Sequence, residues 1–321
     1  MKKEVMRVKI CVFDRATVCG DDLTLDGLEE LGELRVYETV PPAEVANVIG
    51  DAEAVLCNKT LITRAVLEAC PRLRYVGLMA TGVNNVDLAA ARERGVRVTN
   101  IPGYSTAAVA QLVMANVLEF ATRLSEYNAS TARGDWTRAT AFTYFPYPLT
   151  ELEGKTMGIF GMGAIGSRVA GLAAAFGMRV IYTSRVKKDL PYAFVDRETL
   201  FRESDFLSLH CPLTAETEGL VNEKLLALMK PTACLINTAR GGVIVEADVA
   251  RALREGRIAR FCADTLAREP QSPDCPLIGA PNCRLTPHIA WAPRETRRRL
   301  IGILIDNLRR FQAGEKQNAV V

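Results

Sequence analysis

The chain has 321 residues, 49% of them hydrophobic and 24% charged, with a net charge of +3. That profile fits a globular protein with room for two domains of ordinary size, and it excludes a disordered chain. So small a net charge leaves no overall field for nucleic acid or an anionic membrane surface, so neither is expected as a partner.

The N-terminal Met1-Lys2-Lys3-Glu4 leads directly into an apolar strand, without the apolar core of a signal peptide. No apolar stretch is long enough to span a bilayer. A cytoplasmic protein is expected. The nine cysteines show no C-x-x-C spacing, and Cys11, Cys57, Cys70, Cys234 and Cys262 lie in apolar runs. They read as small buried side chains in a reducing compartment. No metal site is expected, because no histidine–cysteine cluster has ligand spacing.

The first hundred residues alternate. Strands are predicted at 8–14, 34–37, 54–57, 73–79 and 97–100, with helices at 22–31, 42–49, 63–69 and 88–93. Alternation of this kind predicts a parallel sheet with helices on both faces. Ile101-Pro102-Gly103 breaks the pattern. A long helix is predicted over 106–131, with small Ala107, Ala108, Ala110 and Ala115 allowing close packing. Residues 134–150 are irregular and aromatic (Trp136, Phe142, Tyr144, Phe145, Tyr147), a loop that should pack against something.

A second alternating series follows, with strands at 157–160, 179–182, 206–210, 234–237, 260–263 and 283–285. It closes on an amphipathic helix over 294–311, whose basic 294–299 run forms a solvated face. Such a tail helix can return to the first domain and make it discontinuous. The fold class expected is therefore α/β, with two doubly wound, Rossmann-like parallel-sheet domains and an active-site cleft between them. The substrate-binding domain is predicted at 1–101 plus 289–321 and the dinucleotide-binding domain at 102–288.

The second series opens on Gly161-Met162-Gly163-Ala164-Ile165-Gly166. A predicted strand precedes this G-x-G-x-x-G and a helical pattern (Ile165, Val169, Leu172, Ala173, Phe176) follows it, which is the context a dinucleotide site requires. Gly161 allows the tight turn, Gly163 lets the backbone approach a pyrophosphate, and Gly166 lets helix and strand pack closely. The pyrophosphate then rests on the free N–H groups of the helix start, at Ala164, Ile165 and Gly166.

Which nicotinamide cofactor binds turns on the next strand end. NAD sites place a carboxylate about 20 residues past the first glycine. Here Thr183-Ser184-Arg185-Val186-Lys187-Lys188 brings Ser184 to that place, and no carboxylate appears before Asp189. A 2′-phosphate would meet no repulsion and would find Arg185. NADP is the preferred expectation, with NAD possible. In the alternative reading these cations are a solvated loop and NAD binds through Ser184 and backbone groups.

Ligands of open parallel sheets bind beyond the carboxyl ends of the strands. Three successive strands of the second series end in Thr238-Ala239-Arg240-Gly241-Gly242, in Asp264 through Glu269-Pro270, and in Thr286-Pro287-His288. An arginine, a carboxylate and a histidine thus reach one edge. Arg240 can grip a substrate carboxylate with two parallel hydrogen bonds. His288 is a natural proton donor near neutral pH, and Glu269 can orient its imidazole. The chain has one other histidine, His210, which also ends a strand, so position alone does not choose between them. In the first domain, Thr81-Gly82-Val83 follows a strand and can form a small anion-binding nest for the substrate, or a plain turn.

Together these pieces resemble the D-isomer-specific 2-hydroxyacid dehydrogenases over nearly the whole chain. The resemblance rests on the glycine turn, His210-Cys211-Pro212-Leu213-Thr214, Ile236-Asn237-Thr238-Ala239-Arg240-Gly241, the Asp264 to Pro270 stretch and Thr286-Pro287-His288. Within that family, Ala80-Thr81-Gly82-Val83-Asn84-Asn85-Val86-Asp87 and His288-Ile289-Ala290-Trp291-Ala292 are most similar to the glycerate dehydrogenase, or hydroxypyruvate reductase, branch. The resemblance implies an NAD(P)-dependent reduction of a small 2-keto acid. It makes His288 the acid, and it places His210, Pro212, Thr238 and Asp264 on the cofactor side. It also implies a homodimer, with the 134–150 loop as an arm and Trp136 either capping a partner's site or filling loop core. Other readings on this scaffold are a cofactor-sensing corepressor and a dehydrogenase specific for D-lactate or 3-phosphoglycerate. The chain has no segment matching the regulatory C-terminal domain that often accompanies the last of these.

Overall fold

The computed structural model describes residues 8–321; the reading of residues 1–4 lies outside them. Two compact units emerge. One joins Met1–Ser105 to Ala292–Val321 and the other is Thr106–Trp291.

In the first unit, strands β1 (Val8–Val12), β2 (Gly32–Val36), β3 (Ala54–Cys57), β4 (Tyr75–Leu78) and β5 (Arg97–Thr99) form a parallel sheet ordered β2-β1-β3-β4-β5. Strands β3 and β4 are buried at every position, as befits a sheet covered on both faces. The connecting helices are α1 (Arg15–Cys19), α2 (Val45–Ile49), α3 (Arg64–Ala69) and α4 (Leu88–Glu93). Side chains of Thr63 and Asp87 cap α3 and α4 by accepting from the amides of Val66 and Ala90, satisfying donors that a helix start otherwise leaves orphaned.

The helix predicted over 22–31 does not form. Gly20 and Gly27 take positive φ values of 54° and 94°, outside helical space. The leucines that suggested helical spacing are instead held in successive turns, Leu28 N to Leu25 O and Leu31 N to Leu28 O.

In the second unit, α5 (Thr106–Thr122) and α6 (Leu124–Ala132) precede the sheet. The single helix predicted over 106–131 breaks at Arg123, which adopts left-handed φ 53°, and the two pieces are bent by 55°. No single helix among the described residues is long and apolar enough to cross a membrane. The apolar face of α5 (Ala110, Val113, Met114, Val117) is buried in the core of its own unit. Residues 134–150 are irregular apart from a single 3₁₀ turn at Trp136–Arg138.

The sheet consists of β6 (Thr156–Phe160), β7 (Arg179–Thr183), β8 (Ala193–Phe194), β9 (Phe206–Leu209), β10 (Cys234–Asn237), β11 (Arg260–Ala263) and β12 (Cys283–Leu285), with α7 (Ala164–Ala175), α8 (Arg197–Glu203), α9 (Glu223–Leu226) and α10 (Glu246–Arg254) between them. All pairings are parallel and the order is β12-β11-β10-β9-β6-β7-β8. The chain starts at β6, moves outward to β8, then returns to β9 beside β6. The β6–β9 junction is therefore the point where the strand order reverses, and its carboxyl edge is where such sheets bind ligands.

Helix α11 (Arg294–Gln312) buries Leu300, Leu304 and Leu308 and sets the Phe311 ring 4.7 Å from Tyr75 of β4. All nine cysteines are free and seven are buried, in keeping with their reading as small core side chains.

Candidate active site

The glycine turn sits at the β6–β9 junction. Gly161 has φ 101°, and a Cβ there would lie 2.7 Å from the carbonyl carbon of His210, which follows β9. A Cβ on Gly166 would lie 2.1 Å from the carbonyl oxygen of Gly161. Both glycines are thus required by close backbone contacts, Gly161 with the neighbouring strand end and Gly166 within the turn. Gly163 differs: a Cβ there would meet nothing within 4 Å. It leaves bare backbone facing open space at the N-cap of the twelve-residue α7, whose first amides, including Ala164, Ile165 and Gly166, have no acceptor one helical turn back. That is the cradle a pyrophosphate fits. At the end of β10 the Thr238 hydroxyl is buried without a partner, a polar atom that a bound polar ligand would satisfy. A dinucleotide fits these residues.

The three chemical groups come from the ends of β10, β11 and β12. Beyond β10, Asn237 is fully buried; its Oδ1 accepts from Ala239 N at 3.1 Å and its Nδ2 donates to Arg240 O at 3.0 Å. This clamp fixes the backbone on either side of the Arg240 side chain, which is exposed and donates Nη1 to Ala239 O at 2.7 Å. Asn237 was not among the predicted site residues. Its only sequence signal is an amide at a strand end just before the Arg-Gly-Gly turn.

Gly241 carries the next restraint. A Cβ there would lie 1.8 Å from the carbonyl carbon of Leu266, so only glycine lets the arginine turn close against the loop after β11. On that loop, Leu266 N donates to Glu269 Oε1 at 3.0 Å. The other oxygen, Oε2, meets His288 Nδ1 at 2.7 Å. One carboxylate therefore bridges two strand-end loops. With Nδ1–H given to Glu269, Nε2 is the imidazole nitrogen that remains to exchange a proton.

His288 itself has φ 55°, a left-handed conformation that costs a non-glycine residue about 1–3 kcal/mol unless its surroundings hold it. Asp264 supplies that hold. It is 2% exposed; its Oδ1 accepts from Thr286 Oγ1 at 2.5 Å and Ile289 N at 2.9 Å, and its Oδ2 from Ala290 N at 2.8 Å. Amides on the far side of His288 are thereby pulled toward the sheet, and the ring is turned onto Glu269. The resemblance placed Asp264 on the cofactor side; the bonds its carboxylate makes are to the backbone and side chain around His288.

His210 is unlike His288. Its Nε2 lies 2.9 Å from the hydroxyl of Ser208, and desolvation in its packed surroundings pushes its pKa down to about 3. It is neutral at any pH near 7 and has no carboxylate partner among the described residues, so it is a poor reservoir for a proton. Pro212, two residues on, is held by its carbonyl, which accepts from Thr217 Oγ1 at 2.6 Å.

Comparison with known proteins decides what this constellation belongs to. Residues 114–290 match the family of D-isomer specific 2-hydroxyacid dehydrogenases, over its NAD-binding domain. The chain belongs to this family. It is 41% identical to a hydroxypyruvate reductase of Blautia hydrogenotrophica and 36% identical to a glycerate dehydrogenase of Methylorubrum extorquens. Each match covers 98% of this chain and 99% of the relative. Among solved structures, an NADPH-dependent glyoxylate/hydroxypyruvate reductase from Sinorhizobium meliloti, in complex with NADP and malonate, is 30% identical. It covers 98% of this chain and 97% of its own, with a TM-score of 0.83. The protein is thus a nicotinamide-dependent oxidoreductase of the glycerate dehydrogenase branch, as its motifs led us to expect.

The remaining predicted site residues of the dehydrogenase fall as follows. Ser184 lies just beyond β7 and donates its hydroxyl to Val186 O at 2.6 Å, tying down its own loop. Arg185 and Lys187 beside it are exposed and make no ion pair among the described residues. In the first unit, Thr81, Gly82 and Val83 follow β4. The Thr81 hydroxyl donates to Ile101 O at 2.8 Å, and the Thr81 carbonyl accepts from Asn100 Nδ2 at 2.7 Å.

Proposed function

We propose that the enzyme reduces a small 2-keto acid to the D-2-hydroxy acid, with hydroxypyruvate or glyoxylate as its substrate. The observation that carries this reading is the Glu269–His288 pair standing at the same sheet edge as Arg240. The relatives named for hydroxypyruvate, glycerate and glyoxylate support the choice of substrate.

Arg240 holds the substrate carboxylate through its planar fork. His288, through Nε2, gives the keto oxygen its proton, while Glu269 keeps the ring in place and balances the imidazolium charge. When bound, the reduced nicotinamide supplies the hydride that the carbonyl carbon receives. Hydride on carbon and proton on oxygen together complete the hydroxy acid; in the reverse direction His288 takes the proton back. Gly161, Gly163, Ala164, Ile165, Gly166, His210, Pro212, Thr238 and Asp264 form the cofactor side. We assign Thr106–Trp291 as the dinucleotide-binding domain and the discontinuous unit as the substrate-binding domain, contributing Thr81, Gly82 and Val83.

The cofactor is NADP in preference to NAD. Thr183 to Lys188 at the β7 end include no carboxylate to repel a 2′-phosphate, and Arg185 beside Ser184 is exposed and makes no ion pair among the described residues. Catalytic efficiencies with NADPH and NADH, on a panel of hydroxypyruvate, glyoxylate, pyruvate and phosphohydroxypyruvate, test substrate and cofactor together. NADPH should be the better donor. Arg185→Ala should reduce NADPH efficiency about tenfold or more, the worth of one charge-assisted bond, and leave NADH use nearly unchanged. Equal use of both cofactors by the unaltered enzyme overturns the NADP assignment. Cofactor binding with no turnover of any keto acid returns the sensor reading.

The enzyme works as a cytoplasmic homodimer on this reading. Phe142 and Phe145 are 89% and 75% exposed on the 134–150 arm, and Trp136 and Leu149 are exposed with them. Apolar side chains grouped in this way mark an interaction surface. Sedimentation of the intact chain at the mass of one copy contradicts the dimer.

A further inference from the structure

Asp14 lies two residues beyond β1 in the first unit, at the start of α1. It is 8% exposed and adopts left-handed φ 62°, a conformation seldom held by a non-glycine residue without a local reason. Its Oδ2 accepts from three successive amides, Asn58 N at 2.9 Å, Lys59 N at 2.8 Å and Thr60 N at 2.9 Å, and Thr60 Oγ1 lies 3.0 Å from both carboxylate oxygens. Three consecutive N–H groups converging on one oxygen form an anion nest, here filled by the chain's own carboxylate.

What the nest holds continues into the loop after β4. The carbonyls of Asn58 and Thr60 accept from one side-chain amide, Asn85 Nδ2, at 3.3 and 2.9 Å. The backbone of Asn85 is tied back in turn, with Ile62 N donating to Asn85 O at 2.8 Å and Val86 N to Val83 O at 3.1 Å. A path of hydrogen bonds thus runs from Asp14 through residues 58–60 to Asn85, and one residue along the chain Val86 carries it to Val83, the end of the Thr81-Gly82-Val83 segment. On its other side that segment is secured through Thr81, by Asn100 and Ile101.

We propose that Asp14 is a positioning residue for keto-acid binding: its carboxylate sets the 58–60 loop, and through Asn85 the Thr81–Val83 backbone that receives the substrate. The inference rests on the substrate role of Thr81, Gly82 and Val83 in the function proposed above. A carboxylate suits the task because its charge draws all three amides to one point, and hydrogen bonds to an ionised acceptor are roughly twice as strong as neutral ones. Aspartate also tolerates the left-handed backbone better than other charged residues.

Glycine adopts φ 62° without strain, so Asp14→Gly removes the carboxylate and leaves the backbone unstrained. Asp14→Asn keeps the shape, one accepting oxygen and an N–H able to donate to the Thr60 hydroxyl. For Asp14→Gly the KM for the keto acid and the Ki of oxalate, used as a dicarboxylate probe, should both rise about tenfold, within the range that misplacing a binding group by an ångström produces. NAD(P)H affinity, read by nucleotide fluorescence, should stay unchanged because its site is on the other unit. Asp14→Asn should recover most of the loss. If Asp14→Gly does not fold, Asn85→Ala breaks the same path at an independent point and should raise the same two constants.

Folded variants with normal keto-acid KM and oxalate Ki overturn the proposal, whatever their melting temperature. A parallel loss of nucleotide affinity overturns it too, since a general structural defect then explains the data. Arg240→Lys, run alongside, separates this failure from failure of the functional reading. If the unaltered enzyme turns over no keto acid, or Arg240→Lys leaves its KM untouched, the functional reading itself is wrong. If both behave as expected and the Asp14 and Asn85 variants stay neutral, only the positioning role falls.

Discussion

Replacing His288 with glutamine is expected to lower turnover at least about 100-fold, the usual size of a lost general acid, while NAD(P)H binding stays intact. In the proposed mechanism the imidazole is the group at this edge that gives a proton to the alkoxide. Its Nδ1 is engaged 2.7 Å from Glu269 Oε2, and glutamine keeps polarity and approximate size but has no titratable nitrogen. The control is His210→Gln. With its pKa pushed down to about 3 by desolvation, His210 has no imidazolium proton to give at pH 7. Single-turnover rates at saturating cofactor measure both variants. A His288 variant that keeps near-normal rates while the His210 variant loses them reverses the assignment.

Arg240→Lys carries the second large effect, roughly a 100-fold loss of kcat/KM for the keto acid, or about 2.7 kcal/mol of transition-state binding. Charge is preserved, so the change isolates geometry. One end of the guanidinium is already anchored, with Nη1 donating to Ala239 O at 2.7 Å, and the remaining N–H groups are left to grip a carboxylate in a fixed plane. An ammonium is a strongly hydrated point charge without that fork; bonding to the Ala239 carbonyl would draw it away from substrate. NAD(P)H affinity should not follow. Unchanged efficiency with the keto acid would remove Arg240 from the substrate carboxylate.

Much of this site is legible from local patterns because its chemistry sits at strand ends. Strands buried on both faces read as short apolar runs, and whatever follows them lies at the carboxyl edge. This is why Arg240, Glu269 and His288 stand out before any coordinates. The glycine turn is legible for a similar reason, since its three glycines lie within six residues between a strand and a helix, although the contact that requires Gly161 comes from His210 beyond β9. Where the pattern misled, backbone conformation outweighed side-chain spacing. Leucines at 23, 25, 28 and 31 imitate a helix, but Gly20 and Gly27 at positive φ turn the chain instead. Apolar spacing likewise runs through Arg123, and its left-handed φ of 53° divides α5 from α6.

The sequence by itself determined the fold class, the nicotinamide-binding family and the placing of an arginine, a carboxylate and a histidine at successive strand ends, because each depends on short local patterns or on a strand's own burial. Only the tertiary structure decided how those groups are held. Asp264 reaches the backbone around His288 across more than twenty residues, Gly241 is required by the loop after β11, and Asp14 gathers amides from the loop after β3. In each case the partner is a backbone group on a neighbouring strand end. Backbone amides and carbonyls are the same at every residue, so no composition or spacing announces which of them a buried carboxylate will meet; that is fixed only when parallel strands come into register.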